Sequence, residues 1–151
     1  MAKTTTAVNA CDVSIWLDDV LGTARDISGS SNSFDVTLEQ VIAQFTVFGD
    51  HWPSTLCCGR SGSITVNVWY TTAANEAVDI LKNWYFGADP VPCELRTLSW
   101  YIPDKNVGSD YYTTEVRLAS ASFSPSRDEA GPIAVTLELL PEEISHSVAA
   151  T

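Results

Sequence analysis

The sequence predicts a mainly β fold, an antiparallel β-sandwich or split barrel with one flanking α-helix. Three observations point there. Apolar and polar residues alternate at period two along most of the chain, as in strands with one buried face. Clusters of Gly, Ser, Asn, Asp and Pro separate these runs. One segment alone carries helical spacing, so the order is strands, helix, strands, unlike the strand-helix alternation of a parallel sheet. The 151 residues, 45% of them apolar, suffice for one core. That domain is taken as residues 11–140, between an N-terminal arm, 1–10, and a C-terminal arm, 141–151, that lack periodicity.

In the first strand Val13, Ile15 and Leu17 point one way, and Ser14, Trp16 and Asp18 the other. A Gly/Ser-rich turn over 26–33 leads into a long extended run, 34–48. There Phe34, Val36 and Leu38 share one parity, while Val41, Ala43, Phe45 and Val47 share the other. The apolar face therefore switches near Glu39 and Gln40, which predicts a β-bulge or strand break at that point. A loop is expected over 48–62, and Ile64, Val66 and Val68 mark the next strand. From Asn75, read as an N-cap, Ala77, Ile80, Leu81 and Trp84 fall at helical spacing, with Gly87 as the stop. Strands over 94–102, 111–123 and 133–140 complete the domain, joined by turns at 105–109 and 128–132.

Composition excludes several functions. With 19 acidic against 8 basic residues the net charge is −11, which repels nucleic acid and provides no basic face for it. The same repulsion suits a wall that a passing duplex must not adhere to. Cys11, Cys57, Cys58 and Cys93 match no zinc spacing and no disulfide framework, so they are expected as reduced, buried thiols; no metal or other cofactor is expected. No apolar stretch approaches a membrane span or a leader's apolar region, which places the protein in the cytosol with no membrane partner.

Chemistry is sparse. Asp18-Asp19 and Glu142-Glu143 are adjacent carboxylates, but successive residues of a strand point to opposite faces, which suits a catalytic dyad badly. His51 lies near Cys57 and Cys58, yet nothing marks an oxyanion hole. The chain does not read as an enzyme. Its excess is aromatic: Trp16 and Trp69 sit opposite the apolar positions of their strands and are expected to contact a partner, either another subunit or a sugar held by a lectin-like sandwich.

Three stretches resemble the major tail tube proteins of siphophages: Asp26-Ile27-Ser28-Gly29-Ser30-Ser31-Asn32-Ser33-Phe34, Phe45-Thr46-Val47-Phe48-Gly49-Asp50-His51-Trp52, and Ser61-Gly62-Ser63-Ile64-Thr65-Val66 before the lone helix. Ala121-Ser122-Phe123-Ser124-Pro125-Ser126, leading through Gly131-Pro132, is similar to that family's closing hairpin. The resemblance implies a ring-forming subunit whose rings, expected hexameric, stack into the conduit for DNA ejection. It also implies relatedness to the tubes of contractile tails and type VI secretion. The implied setting is the virion tail, assembled in the host cytoplasm. The implied partners are further copies of the chain, other tail proteins such as the tape measure, terminator and distal tail proteins, and DNA crossing the lumen without sequence-specific contact. By the same resemblance the loop carrying Phe48, Gly49, Asp50, His51, Trp52 and Arg60 is the expected inter-ring contact, together with the terminal arms. Polar positions Asp35, Thr37, Glu39, Thr65, Asn67, Glu115 and Arg117 are candidates for the lumen wall, and Trp16 and Trp69 for subunit contacts. Cys57-Cys58 and Cys11 depart from the family's pattern.

Overall fold

The computed structural model describes residues 7–87, 93–127 and 130–150. The N-terminal residues 1–6, the final residue and the first part of the expected 128–132 turn lie outside them. Among the described residues there are seven strands: β1 (Ser14–Asp18), β2 (Ala24–Asp26), β3 (Ser31–Phe45), β4 (Ser54–Trp69), β5 (Leu95–Ile102), β6 (Asp110–Phe123) and β7 (Ala134–Val148). They form one antiparallel sheet in the order β2-β1-β5-β6-β7-β4-β3. The fold is thus mainly β, antiparallel and accompanied by a helix, with its strands in a single sheet that does not close into a barrel.

The alternation read from the sequence sets the two faces. Ile15, Leu17, Ile64, Val66, Val68, Leu98, Trp100, Val116, Val135, Leu137 and Leu139 turn to one side and are buried. The helix, α1 (Ala77–Phe86), lays Ala77, Val78, Ile80, Leu81 and Trp84 onto that side, and together they make one core. Burying an aliphatic side chain of this kind stabilises by about 1.5–3 kcal/mol, which is why a ten-residue helix holds here though it would be marginal alone. The Trp84 indole N–H donates to the Glu94 carbonyl at 3.1 Å and ties the helix to the start of β5.

Several expectations are corrected. Asn75 is not the N-cap: its φ is +64°, Glu76 occupies the cap position, and the Asn75 amide donates to Asp79 Oδ2 at 2.9 Å. Gly87 does follow the helix as expected, and the position requires glycine, because a Cβ there would stand 2.5 Å from the Asn83 carbonyl oxygen. β2 is too short to show alternation. The C-terminal arm expected over 141–151 is in fact strand to Val148, because β6 offers pairing partners from Thr114 opposite Ile144 to Asp110 opposite Val148. All four cysteines are exposed, since each sits at a strand edge or connection and not on the core face.

The loop expected over 48–62 is the largest correction. β3 and β4 pair continuously from Phe34 opposite Val66 to Phe45 opposite Ser54, so only residues 46–53 turn. The bulge predicted near Glu39 lies instead on the facing strand: Val41 pairs with Gly59 and Ile42 with Cys57, which leaves Cys58 as the extra residue.

A fork completes the architecture. β4 and β7 pair from Trp69 opposite Ala134 to Ile64 opposite Leu139 and then part. β4 continues with β3 as a projecting hairpin, while β7 continues with β6.

Candidate subunit interface and channel face

The sheet's second face is polar, and α1 lies on the other side. Alternation places all seven lumen candidates on it: Asp35, Thr37 and Glu39 on β3, Thr65 and Asn67 on β4, and Glu115 and Arg117 on β6. Register brings them into rows. Asp35 stands opposite Thr65, Thr65 opposite Glu138, and Glu138 opposite Ser120. In the next row the Thr136 hydroxyl donates to Asn67 Oδ1 at 2.7 Å, and Asn67 Nδ2 donates to Ser33 Oγ at 2.6 Å. The Ser120 hydroxyl donates to Glu138 Oε2 at 2.9 Å, and the Thr97 hydroxyl to Glu115 Oε1 at 2.7 Å. Arg117 reaches Glu142 Oε1 at 2.7 Å and the Cys93 carbonyl at 2.7 Å. The face therefore holds its polar groups by cross-strand bonds and carries Asp35, Glu39, Glu115, Glu138 and Glu142 against Arg117.

Glu138, Glu142, Ser120 and Thr136 belong to this face although the sequence reading omitted them. Thr136, Glu138 and Glu142 share one parity on β7, and that is the signal that identifies them, whereas Ser120 has the opposite parity to Glu115 and Arg117 and reaches this face only through the irregularity between Leu118 and Ser120 in β6.

At the edge of the same face Asp18 is held above the usual carboxylate range, first by burial and then by Glu115 and Asp19, which outweigh the lowering influence of the Thr97 hydroxyl and of Arg96. Asp19 moves the other way. It accepts from the Thr23 and Leu21 amides at 3.0 and 2.9 Å and pairs with Arg25 at 2.8 Å, which lowers its pKa and closes the β1–β2 turn.

Along the projecting hairpin the polarity inverts. Val41, Ala43 and Phe45 continue the parity of Asp35, Thr37 and Glu39, and Leu56 pairs with Ala43. Val41, Ile42, Phe45 and Leu56 are 50–57% exposed, and Trp52 in the turn is 83% exposed. Half or more of each of these apolar side chains is left in water, a pattern typical of surfaces that meet another molecule. Phe48, Gly49, Asp50, His51 and Trp52 lie together in this turn, whereas Arg60 does not: it is in β4 opposite Gln40 and lines the fork. Neither carboxylate nor thiol near His51 forms a bonded array with it among the described residues.

The two tryptophans are separated. Trp16 is half-buried on β1 beneath Lys105, whose Nζ is 4.0 Å from the ring, beside stacked Tyr101 and Tyr111 at 4.7 Å. Burial first, and then Tyr111, push the Tyr101 hydroxyl above the usual phenol range. Trp69 is 36% exposed at the far end of β4.

No protein-family model and no curated protein matches the sequence. The fold does match solved structures. The SPP1 tail tube, determined by solid-state NMR and electron cryomicroscopy, aligns with a TM-score of 0.75 at 9% identity over 96% of this chain and 81% of that one. The tail of the gene transfer agent particle, refined with C6 symmetry, aligns at 0.69 and 18% identity over 95% and 100%. The sheath/tube terminator of the PVC extracellular contractile injection system aligns at 0.71 and 10% identity over 97% and 100%. The shared fold is the one that the resemblance to tail tube proteins implies.

Proposed function

We propose that this chain is a tail tube subunit: a structural, non-enzymatic protein that joins copies of itself into rings, expected hexameric, which stack into a conduit for DNA. The observation that carries the reading is the pairing of two surfaces on one tail-tube fold. One is a bonded, acidic sheet face with no helix upon it; the other is a projecting hairpin with exposed Val41, Phe45, Leu56 and Trp52. β3 is an edge strand of 15 residues, and joining sheets edge to edge between copies would remove that edge and close a barrel.

In such a barrel the polar face lines the lumen. Asp35, Thr37, Glu39, Thr65, Asn67 and Glu115 would then meet DNA with net negative charge, Asn67 and Glu115 through side chains already hydrogen-bonded across strands, and Arg117 is already paired with Glu142. Screening over about 8 Å at physiological salt confines the repulsion to the wall, which prevents adhesion without blocking passage. The turn from Phe48 to Trp52 supplies the contact with the next ring, and Trp69 and the Trp16–Lys105 cluster the contacts between neighbours. The remaining partners are the tail proteins that cap, start and fill a tube. Lys105 covers the Trp16 ring, which argues against sugar stacking there.

Sedimentation velocity over a range of concentrations, with negative-stain electron microscopy, tests the reading. Rings or hollow tubes are expected; a chain that stays monomeric at every concentration and binds glycans overturns it.

A further inference from the structure

Exposed apolar side chains stand at both ends of the sheet. β4 runs antiparallel to β7, whose Val148 lies opposite Asp110, and Asp110 lies opposite Ile102, so the 46–53 turn projects from this end. At the far end are the close of β1, the start of β5 and the last turn of α1. The Trp84 indole fixes that helical turn to Glu94, just before β5. The buried Arg96 guanidinium lies over the same indole at 5.0 Å and donates to the Asp18 carbonyl at 3.5 Å, which ties β1 to the helix. Around this clamp Val20 and Leu21, in the turn after β1, and Tyr85 and Phe86, closing α1, are each more than half exposed. The Tyr85 and Phe86 rings meet edge to face at 4.8 Å and present one aromatic surface. Lys82, one turn earlier on the helix, is exposed and forms no ion pair among the described residues.

We infer that this far end, built from Leu21, Lys82, Tyr85 and Phe86, receives the 46–53 turn of a second copy in the adjacent ring. The inference rests on the tube reading and adds the surface that the turn meets. Symmetry supports it. Turns meeting turns would join two rings and stop, whereas contact between unlike surfaces at opposite ends repeats without limit, as a tube requires. Chemistry supports it too. The exposed Phe48 and Trp52 of the turn find aliphatic and aromatic partners in Leu21, Tyr85 and Phe86. Asp50 is the turn's single acidic residue, and Lys82 is a cation with no carboxylate of its own among the described residues. One such contact is small, but its repetition around a ring holds two rings together.

Sedimentation and negative-stain electron microscopy of a double variant, Leu21→Gln with Phe86→Gln, test this. Both side chains are exposed, so the monomer's Tm should stay within about 3 °C of the parent. Single rings are expected to form as before, while the concentration needed for tubes rises about tenfold. Mixing preformed rings of this variant with preformed rings of Trp52→Ala, where neither makes tubes alone, should give pairs of rings and nothing longer, since one kind keeps the turn and the other keeps the receiving end. Lys82→Glu, which leaves the apolar residues in place, should raise the concentration needed for tubes about threefold, and Asp50→Lys in the same chain should restore it. Tubes from the double variant at the parent's concentration overturn the inference, as does a mixture without paired rings. Both outcomes leave the tube reading standing; a parent that forms no rings at any concentration overturns that reading and the inference with it.

Discussion

The rings of Phe34 and Trp100 lie 5.3 Å apart although β3 and β5 have three strands between them in the sheet. The sheet must therefore curl until its two halves face each other, and Trp100 carries the contact onward by stacking on Tyr112 at 5.3 Å. Trp100→Ala is expected to cost about 3–5 kcal/mol in chemical denaturation, since it opens a void on both sides of the curl. A double-mutant cycle with Phe34→Leu should return a coupling of about 0.5–1.5 kcal/mol; no coupling would mean that the contact does not shape the sheet.

The hairpin separates folding from assembly. Phe45→Ser and Trp52→Ala remove exposed side chains, so each should leave the monomer's stability within about 0.5 kcal/mol of the parent. Both should raise the concentration needed for tubes by about tenfold or more, read by sedimentation. A variant that polymerises normally but unfolds early would show the residue to be part of the core.

Charge on the polar face governs adhesion. The double variant Asp35→Lys, Glu138→Lys replaces residues flanking Thr65 in one row of that face, and the tubes should still form. They should retain duplex DNA in a filter assay at low salt and release it as salt rises, whereas the parent retains none.

Asp18 supplies a pH test. Its pKa is raised in the folded chain, so the ionised form is disfavoured there. The stability associated with this group is present below the unfolded-state pKa and is lost as pH rises through the higher folded value. Asp18→Asn keeps the size and shape of the side chain and removes the charge. Its Tm at pH 7 should exceed that of the parent by about 1–3 °C, and the gap should vanish below about pH 4. A gap that widens in acid would reverse the sign and contradict the account.

Much of this architecture was legible in the chain because period-two alternation reports a face directly. Ile64, Val66 and Val68 announced the core side of β4, and Thr65, Asn67 and Trp69 its opposite, as found. The switch of parity between Leu38 and Val41 was also visible, but its meaning was not. It was read as a β-bulge or strand break near Glu39 and Gln40, whereas β3 stays paired with β4 as far as Phe45 and carries these apolar residues outward on the hairpin. Alternation within one strand cannot say how long its partner follows it, so Cys57-Cys58-Gly59-Arg60 looked like loop and Pro141 like the start of an arm. Pairing supplied by a distant strand decided both. Lys105 over Trp16 had no local signal, because the contact spans nearly ninety positions of sequence.

Electron cryomicroscopy of the assembled protein tests the central claim most directly. The account predicts rings of six-fold symmetry with Asp35, Asn67 and Glu115 on the lumen wall, α1 on the outside and the 46–53 turn against the next ring. A tube with α1 lining the lumen and the polar face outward, or an assembly without a channel, would contradict it.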